Sequence, residues 1–161
     1  MKRYVSFSLV GLGLLAALSA ACASTPALAG STRPTQATVP TAAPHSHPVT
    51  DYASLVSALQ AAGATVVPGG AIQQPFFSPT GQVAKVNGTD VQVFEFADAA
   101  SAKAAAQTVA KDGGSVGTSM VSWVELPHFH QAGKIIVLYV GSDASILAML
   151  KTTVGPQFAG R

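Results

Sequence analysis

The chain has 161 residues, a formal net charge of +2 and a single cysteine, Cys22. Lys2 and Arg3 precede an apolar N-terminal run, and from Cys22 onward seven basic residues balance seven acidic ones. A near-neutral chain lacks the basic stripe of nucleic-acid-binding proteins and the polybasic cluster that anionic lipid surfaces attract. One cysteine also excludes an intramolecular disulfide or a cysteine metal cluster.

Residues 1–21 are predicted to be a lipoprotein-type signal peptide. The two cations are followed by an apolar run, Tyr4 to Ala17, and then by small residues before Cys22. These are the parts of a secretory signal, and a cysteine directly after them resembles a bacterial lipobox. The resemblance implies cleavage before Cys22 and acylation of its thiol with chains such as palmitate. Two or three chains would anchor the protein stably in a membrane, facing outside the cytoplasm.

A second cleavage site competes with this interpretation. Most lipoboxes have Leu three residues before the cysteine, but here Leu18 stands four before it and Ser19 takes that place. Ala27-Leu28-Ala29 is an A-x-A site for ordinary signal peptidase, and cleavage after Ala29 would release a secreted protein without Cys22. This site lies far beyond the apolar run, and Pro26 interrupts the approach to it, so the anchored form is favoured.

Residues 22–48 are predicted to be the acylated cysteine followed by a disordered tether. The stretch has no acidic residue and consists mostly of Ala, Thr, Pro and Ser, a composition that cannot bury a core. As a flexible coil its ends would lie about 25–30 Å apart. An anchored domain needs such a spacer, whereas a secreted one does not.

Residues 49–161 are predicted to form a single domain with three helices. Each helix begins where an aspartate N-cap precedes apolar residues at helical spacing, and these caps are Asp51, Asp98 and Asp143. Pro68-Gly69-Gly70 is expected to stop the first short strand.

Strands are predicted between and after these helices. Asn87-Gly88 predicts a two-residue hairpin turn that places Lys85 opposite Asp90. Further strands are expected at Ser119–Glu125 and Lys134–Val140. The order of elements predicts an α+β domain, with a mostly antiparallel sheet of about five strands and the helices packed on one face.

Several stretches resemble a small family of uncharacterised bacterial exported proteins and lipoproteins. The residues that carry the resemblance are Gln74–Ser78, Val91–Glu95, Met120–Trp123, Tyr139–Gly141 and Gly155–Arg161. The resemblance implies an intact single domain located in the cell envelope, and it implies no catalytic residue.

The one motif typical of catalysis is Gly113-Gly114-Ser115-Val116-Gly117, which matches G-x-S-x-G. A nucleophile elbow needs a strand before the serine and a helix after it, and here the predicted order is the reverse. We therefore interpret the glycines as a helix stop, and we expect no enzyme activity.

Two histidines, His128 and His130, are the candidate metal ligands. In an extended segment their side chains would point to one side and could share Cu²⁺ or Zn²⁺, with Met120 or Glu125 as further ligands. The alternative is a polar loop between two strands in which one histidine bonds to the backbone. A similar pair, His45 and His47, lies in the tether, where binding an ion would require ordering the chain.

Aromatic residues form the last candidate site. Trp123 and Phe129, with Phe76 and Phe77 nearby in the predicted fold, could line an apolar groove for a ligand or could simply be core residues. The leading hypothesis is a membrane-anchored lipoprotein with a non-enzymatic binding or scaffold domain for an unidentified protein or small-molecule partner. The alternative is a Cu- or Zn-binding envelope protein that uses His128 and His130.

Overall fold

The computed structural model describes residues 48–161; Cys22, His45 and His47 lie outside them. The described chain contains three helices and eight strands in the order α1 (Tyr52–Ala61), β1 (Val66–Ile72), β2 (Gly81–Val86), β3 (Thr89–Glu95), α2 (Ala99–Gln107), β4 (Ser115–Val116), β5 (Ser119–Met120), β6 (Pro127–Ala132), β7 (Ile135–Val140), α3 (Ala144–Thr153) and β8 (Gln157–Gly160).

Each helix begins at the predicted aspartate. The Asp51 carboxylate accepts a hydrogen bond from the Ser54 amide at 2.8 Å, and Asp98 and Asp143 bond the first turns of α2 and α3 in the same way. These bonds satisfy amides that have no partner inside the helix. The same backbone bonds hold the pKa values of Asp51 and Asp98 below their usual value.

Six strands form one antiparallel sheet in the order β1-β2-β3-β7-β6-β8, which confirms the α+β class and adds one strand to the expected number. The Asn87-Gly88 turn is present, with φ of 51° and 86°, and it pairs Lys85 with Asp90 as predicted. Strands β4 and β5 form a separate two-stranded hairpin.

The expected strand Ser119–Glu125 is wrong beyond Met120, and the expected loop at His128 is strand β6. Residues 121–126 are irregular, whereas β6 lies between β7 and β8 inside the sheet. Proline at the first position of β6 removes no hydrogen bond that the strand needs. The β6–β7 turn at Gly133 has a positive φ of 49°.

The sheet has a hydrophobic layer on each face, so the helices do not all pack on one side as expected. Because β7 is apolar along its whole length, both of its faces need cover. Helices α1 and α3 cover one face through Leu55, Leu59, Ile146 and Leu150; we call this the two-helix layer.

Helix α2 covers the other face through Ala102, which packs with Phe94, Phe96, Phe129 and Leu138; we call this the aromatic layer. Alternate residues of β7 enter the two layers, with Val137 in the first and Leu138 in the second. Within the described chain, residues 49–159 supply the buried members of both layers.

Candidate binding groove

An open groove of about 560 Å³ lies beside the aromatic layer, within the range of about 300–1,000 Å³ that is common for ligand sites. The turn after α2, the irregular segment 121–126 and Arg161 all contribute to its lining. Its lining includes Asp112, Val121, Trp123, Glu125, Leu126 and Arg161. We call it the tryptophan groove.

Trp123 is held rigidly in this groove. Its Nε1–H donates to the carbonyl oxygen of Gly113 at 2.7 Å. Its ring meets Phe76 and Phe129 edge to face, with centroids 6.0 and 5.9 Å apart. Gly113 has a φ of +72°, and a Cβ there would lie 2.8 Å from the Pro127 ring, so glycine is required where the indole binds.

Phe129, the second predicted groove residue, does not line the groove. Its side chain is fully buried in the aromatic layer. It supports the indole of Trp123 from inside the domain, and Phe76 does the same from the segment before β2. Trp123 and Phe129 are therefore in contact, but of the two only Trp123 lines the groove.

Charged groups stand at the groove wall. Arg161 Nη2 lies 3.3 Å from Asp112 Oδ2, and the other carboxylate oxygen accepts from the Gly114 amide at 3.0 Å. The Gly114 bond, followed by the Arg161 contact, lowers the pKa of Asp112. Glu125 is exposed and forms no ion pair with any residue between 48 and 161.

Exposed apolar side chains flank the groove, a feature that the sequence reasoning missed. Among residues 48–161, three of the four exposed large hydrophobic side chains lie between positions 120 and 126: Met120 at 91%, Val124 at 95% and Leu126 at 46%. The amides of residues 122–125 form no hydrogen bond within the described chain. Because the same stretch is predicted as strand Ser119–Glu125, its sequence pattern gave no signal of this exposure.

The two candidate metal ligands are buried on β6, on the two-helix face of the sheet. His128 and His130 are 5% and 2% exposed, and they point to the same side as their spacing predicted. His128 contacts the Gly141 carbonyl through Nε2 at 3.0 Å and Gln157 Oε1 through Nδ1 at 2.7 Å. His130 Nδ1 donates to the Gly155 carbonyl at 2.8 Å.

These contacts favour a structural role for the histidines. Both nitrogens of His128 have partners, so only Nε2 of His130 is free to bind an ion. Burial lowers the pKa of His130; the hydrogen bond to the Gly155 carbonyl opposes this shift, and the nearby His128 adds to it. Within residues 48–161 no three histidine, aspartate or glutamate side chains are grouped as metal ligands. The suggested helper Glu125 lines the tryptophan groove instead, and Met120 points into solvent.

Fold and site together define an α+β domain with an open groove beside an aromatic layer. No helix in the part of the chain from 48 to 161 is long and apolar enough to cross a membrane. In comparisons with models of protein families, with curated proteins and with solved structures, no match to this chain was found. The resemblance to exported bacterial proteins therefore stays a prediction.

Proposed function

We propose that this chain is a lipid-anchored protein of the bacterial cell envelope, and that its domain binds an apolar segment of a partner protein in the tryptophan groove without catalysing a reaction. Support for the location comes from the sequence. A signal-like N-terminus leads into Cys22, and the predicted tether gives the domain room to reach a partner away from the membrane.

The observation that carries the binding proposal is the run of exposed apolar side chains in segment 120–126, which also lines the groove through Leu126. Burying one large aliphatic side chain contributes about 1.5–3 kcal/mol, and soluble monomers rarely leave such side chains clustered in water. Met120, Val124 and Leu126 are exposed within one short segment beside the groove. A surface of this kind is typical of contact with another protein.

The rigidity of the groove supports the same function. Because the Trp123 indole is fixed by a hydrogen bond and two aromatic contacts, binding does not require ordering of that side chain. Tryptophan is also among the residues that contribute most to protein interfaces. The free amides of residues 122–125 add hydrogen-bond donors that the backbone of an extended partner segment can use.

The charged residues of the groove favour binding over catalysis. A general acid or base works best when its pKa lies near the working pH. The hydrogen bond from the Gly114 amide, followed by the contact with Arg161, lowers the pKa of Asp112 and so moves it further from such a value. These contacts are suited to shaping the groove wall.

The location is tested by the intact mass of the native protein from a membrane fraction. We expect a chain that begins at Cys22 and carries two or three acyl chains. A chain that begins at Gly30 would mean cleavage after Ala29 and would overturn the anchored form.

The groove is tested by placing a photo-crosslinking amino acid at Val124 in the native host. The matched control position is Ser57, which is exposed on α1 in the other layer. We expect one reproducible adduct at position 124 that is lost when Trp123→Ala is added, and we expect mass spectrometry to find an apolar peptide in it. Equal adducts at positions 124 and 57, or none at 124, would contradict the proposal.

A further inference from the structure

A second open groove, of about 460 Å³, lies between α2 and the edge strand β8. Its helix side comprises Lys103, Ala106 and Gln107, continued by Lys111, and its strand side comprises Pro156 and Phe158. It shares no lining residue with the tryptophan groove. We call it the lysine groove.

The charge in this groove has one sign. Within residues 48–161, neither Lys103 nor Lys111 forms an ion pair, and no carboxylate lines the groove. Asp112 follows Lys111 in sequence, but it lines the tryptophan groove and pairs with Arg161. Asp98 caps the opposite end of α2. The two ammonium groups therefore have no internal counter-charge at this place.

Apart from Gln107 and Gln131, the remaining residues that line the groove are apolar. Val109 is buried beneath it, and Ala106 and Phe158 are half-buried in its walls. The Phe158 ring packs on Phe129 of the aromatic layer, with centroids 6.1 Å apart, so this wall is supported from inside. A ligand that fits the groove needs an apolar part along this surface and an anionic part at the lysines.

We propose that the lysine groove binds a single-chain amphiphile with a carboxylate head, that is, a fatty acid. Two ammonium groups without a carboxylate beside them can donate charge-assisted hydrogen bonds to one carboxylate head, and the apolar wall beside them can take a single chain. Each CH₂ that the groove removes from water adds about 0.8 kcal/mol to binding. The proposal goes beyond the proposed function, because it concerns a different groove and a different class of ligand.

The test is titration of residues 48–161 with laurate below its critical micelle concentration, followed by calorimetry and by ¹H–¹⁵N NMR spectra. We expect saturable binding, with the largest shifts at Lys103, Ala106 and Phe158. Dodecyltrimethylammonium, which has the same chain length and the opposite charge, should bind at least about tenfold more weakly, since it loses two charge-assisted contacts.

The double variant Lys103→Gln/Lys111→Gln is expected to weaken laurate binding about tenfold or more, because it keeps the shape of the groove and removes both charges. Lys151→Gln is the matched control, since it removes an exposed lysine from α3 in the other layer. Unchanged affinity in the double variant, equal binding of the cationic amphiphile, or shifts confined to the tryptophan groove would overturn the proposal. Binding to phosphatidylglycerol vesicles without binding of free laurate would also overturn it.

Discussion

The two faces of the sheet are covered to different extents. On one face, α1 and α3 cover β7 together, and Leu55, Leu59 and Leu150 beneath them are fully buried. On the other face, α2 is the one helix within residues 48–161 that packs on the sheet, and only Ala102 among its side chains is buried. A helix whose buried face carries small side chains can approach the sheet closely, but it covers little of the surface of the sheet. Both open grooves described above therefore lie beside the aromatic layer, where the cover ends.

The largest change in stability is expected for a substitution in the two-helix layer. Leu150→Ala removes a fully buried side chain between α3 and the sheet, and the free energy of unfolding should fall by about 2–5 kcal/mol. Urea unfolding followed by circular dichroism measures this. The exposed Met120→Ala serves as control and should change stability by less than about 0.5 kcal/mol. Equal losses in the two variants would mean that the two-helix layer does not dominate stability.

A smaller loss of stability is expected when a larger side chain is placed in the aromatic layer beneath α2. Ala102 is fully buried where α2 meets the sheet, so Ala102→Leu should force the helix outward and destabilise the domain by about 1–3 kcal/mol. The control is Ala104→Leu on the exposed side of the same helix, which should be nearly neutral. If the two variants were equally stable, the close packing of α2 on the sheet would be contradicted.

The wall of the tryptophan groove can be destabilised while an aromatic ring stays at position 123. Trp123→Phe keeps an aromatic ring and removes the hydrogen bond to the Gly113 carbonyl, which should lower stability by about 1 kcal/mol. It should also reduce crosslinking from position 124, because the ring is no longer fixed. Leu150→Ala, a destabilising change in the two-helix layer, tests whether loss of stability alone reduces the crosslinking. An unchanged adduct in Trp123→Phe would show that the indole bond does not shape the groove.

The stability of the domain should also depend on pH through His130, which lies on the two-helix face of the sheet. Burial holds its pKa in the folded state below 6.5, while in the unfolded state it returns to about 6.5. The unfolded state therefore binds the proton more readily, so stability is present above pH 6.5 and falls as the pH drops towards the folded pKa. Urea unfolding between pH 7.5 and 5 measures this, and the slope should diminish in His130→Gln. A slope that persists unchanged in the variant would assign the effect to another group.

Local signals in the sequence predicted most elements of this fold. The three aspartate caps and the Asn87-Gly88 turn each depend on a few adjacent residues, and all four lie where expected. The predicted stop at Pro68-Gly69-Gly70 was wrong, since β1 runs through it with an irregular register. An edge strand tolerates proline because one side of its backbone needs no partner.

Features that depend on distant contacts could not be predicted in this way. The sequence leaves two interpretations of the β6 histidines open, an extended metal-binding pair and a polar loop. It cannot decide between them because their hydrogen-bond partners, at Gly141, Gly155 and Gln157, lie 13 to 29 residues away. The same limit applies to the groove. Trp123 was found by residue type, but the partner of its Nε1–H and the exposure of Val124 follow from tertiary structure.

The smallest expected effect is that of added metal. Titration of residues 48–161 with Cu²⁺ or Zn²⁺ should give the same heat as titration of a His130→Gln variant. The one free imidazole nitrogen among these residues is buried and has no further ligands around it. Binding through His128 would require its ring to leave two oxygen partners and the stacked Tyr139 ring. Saturable binding that disappears in His130→Gln would show that the two-helix layer opens to admit an ion. In that case the contrast between a closed and an open face of the sheet would no longer hold.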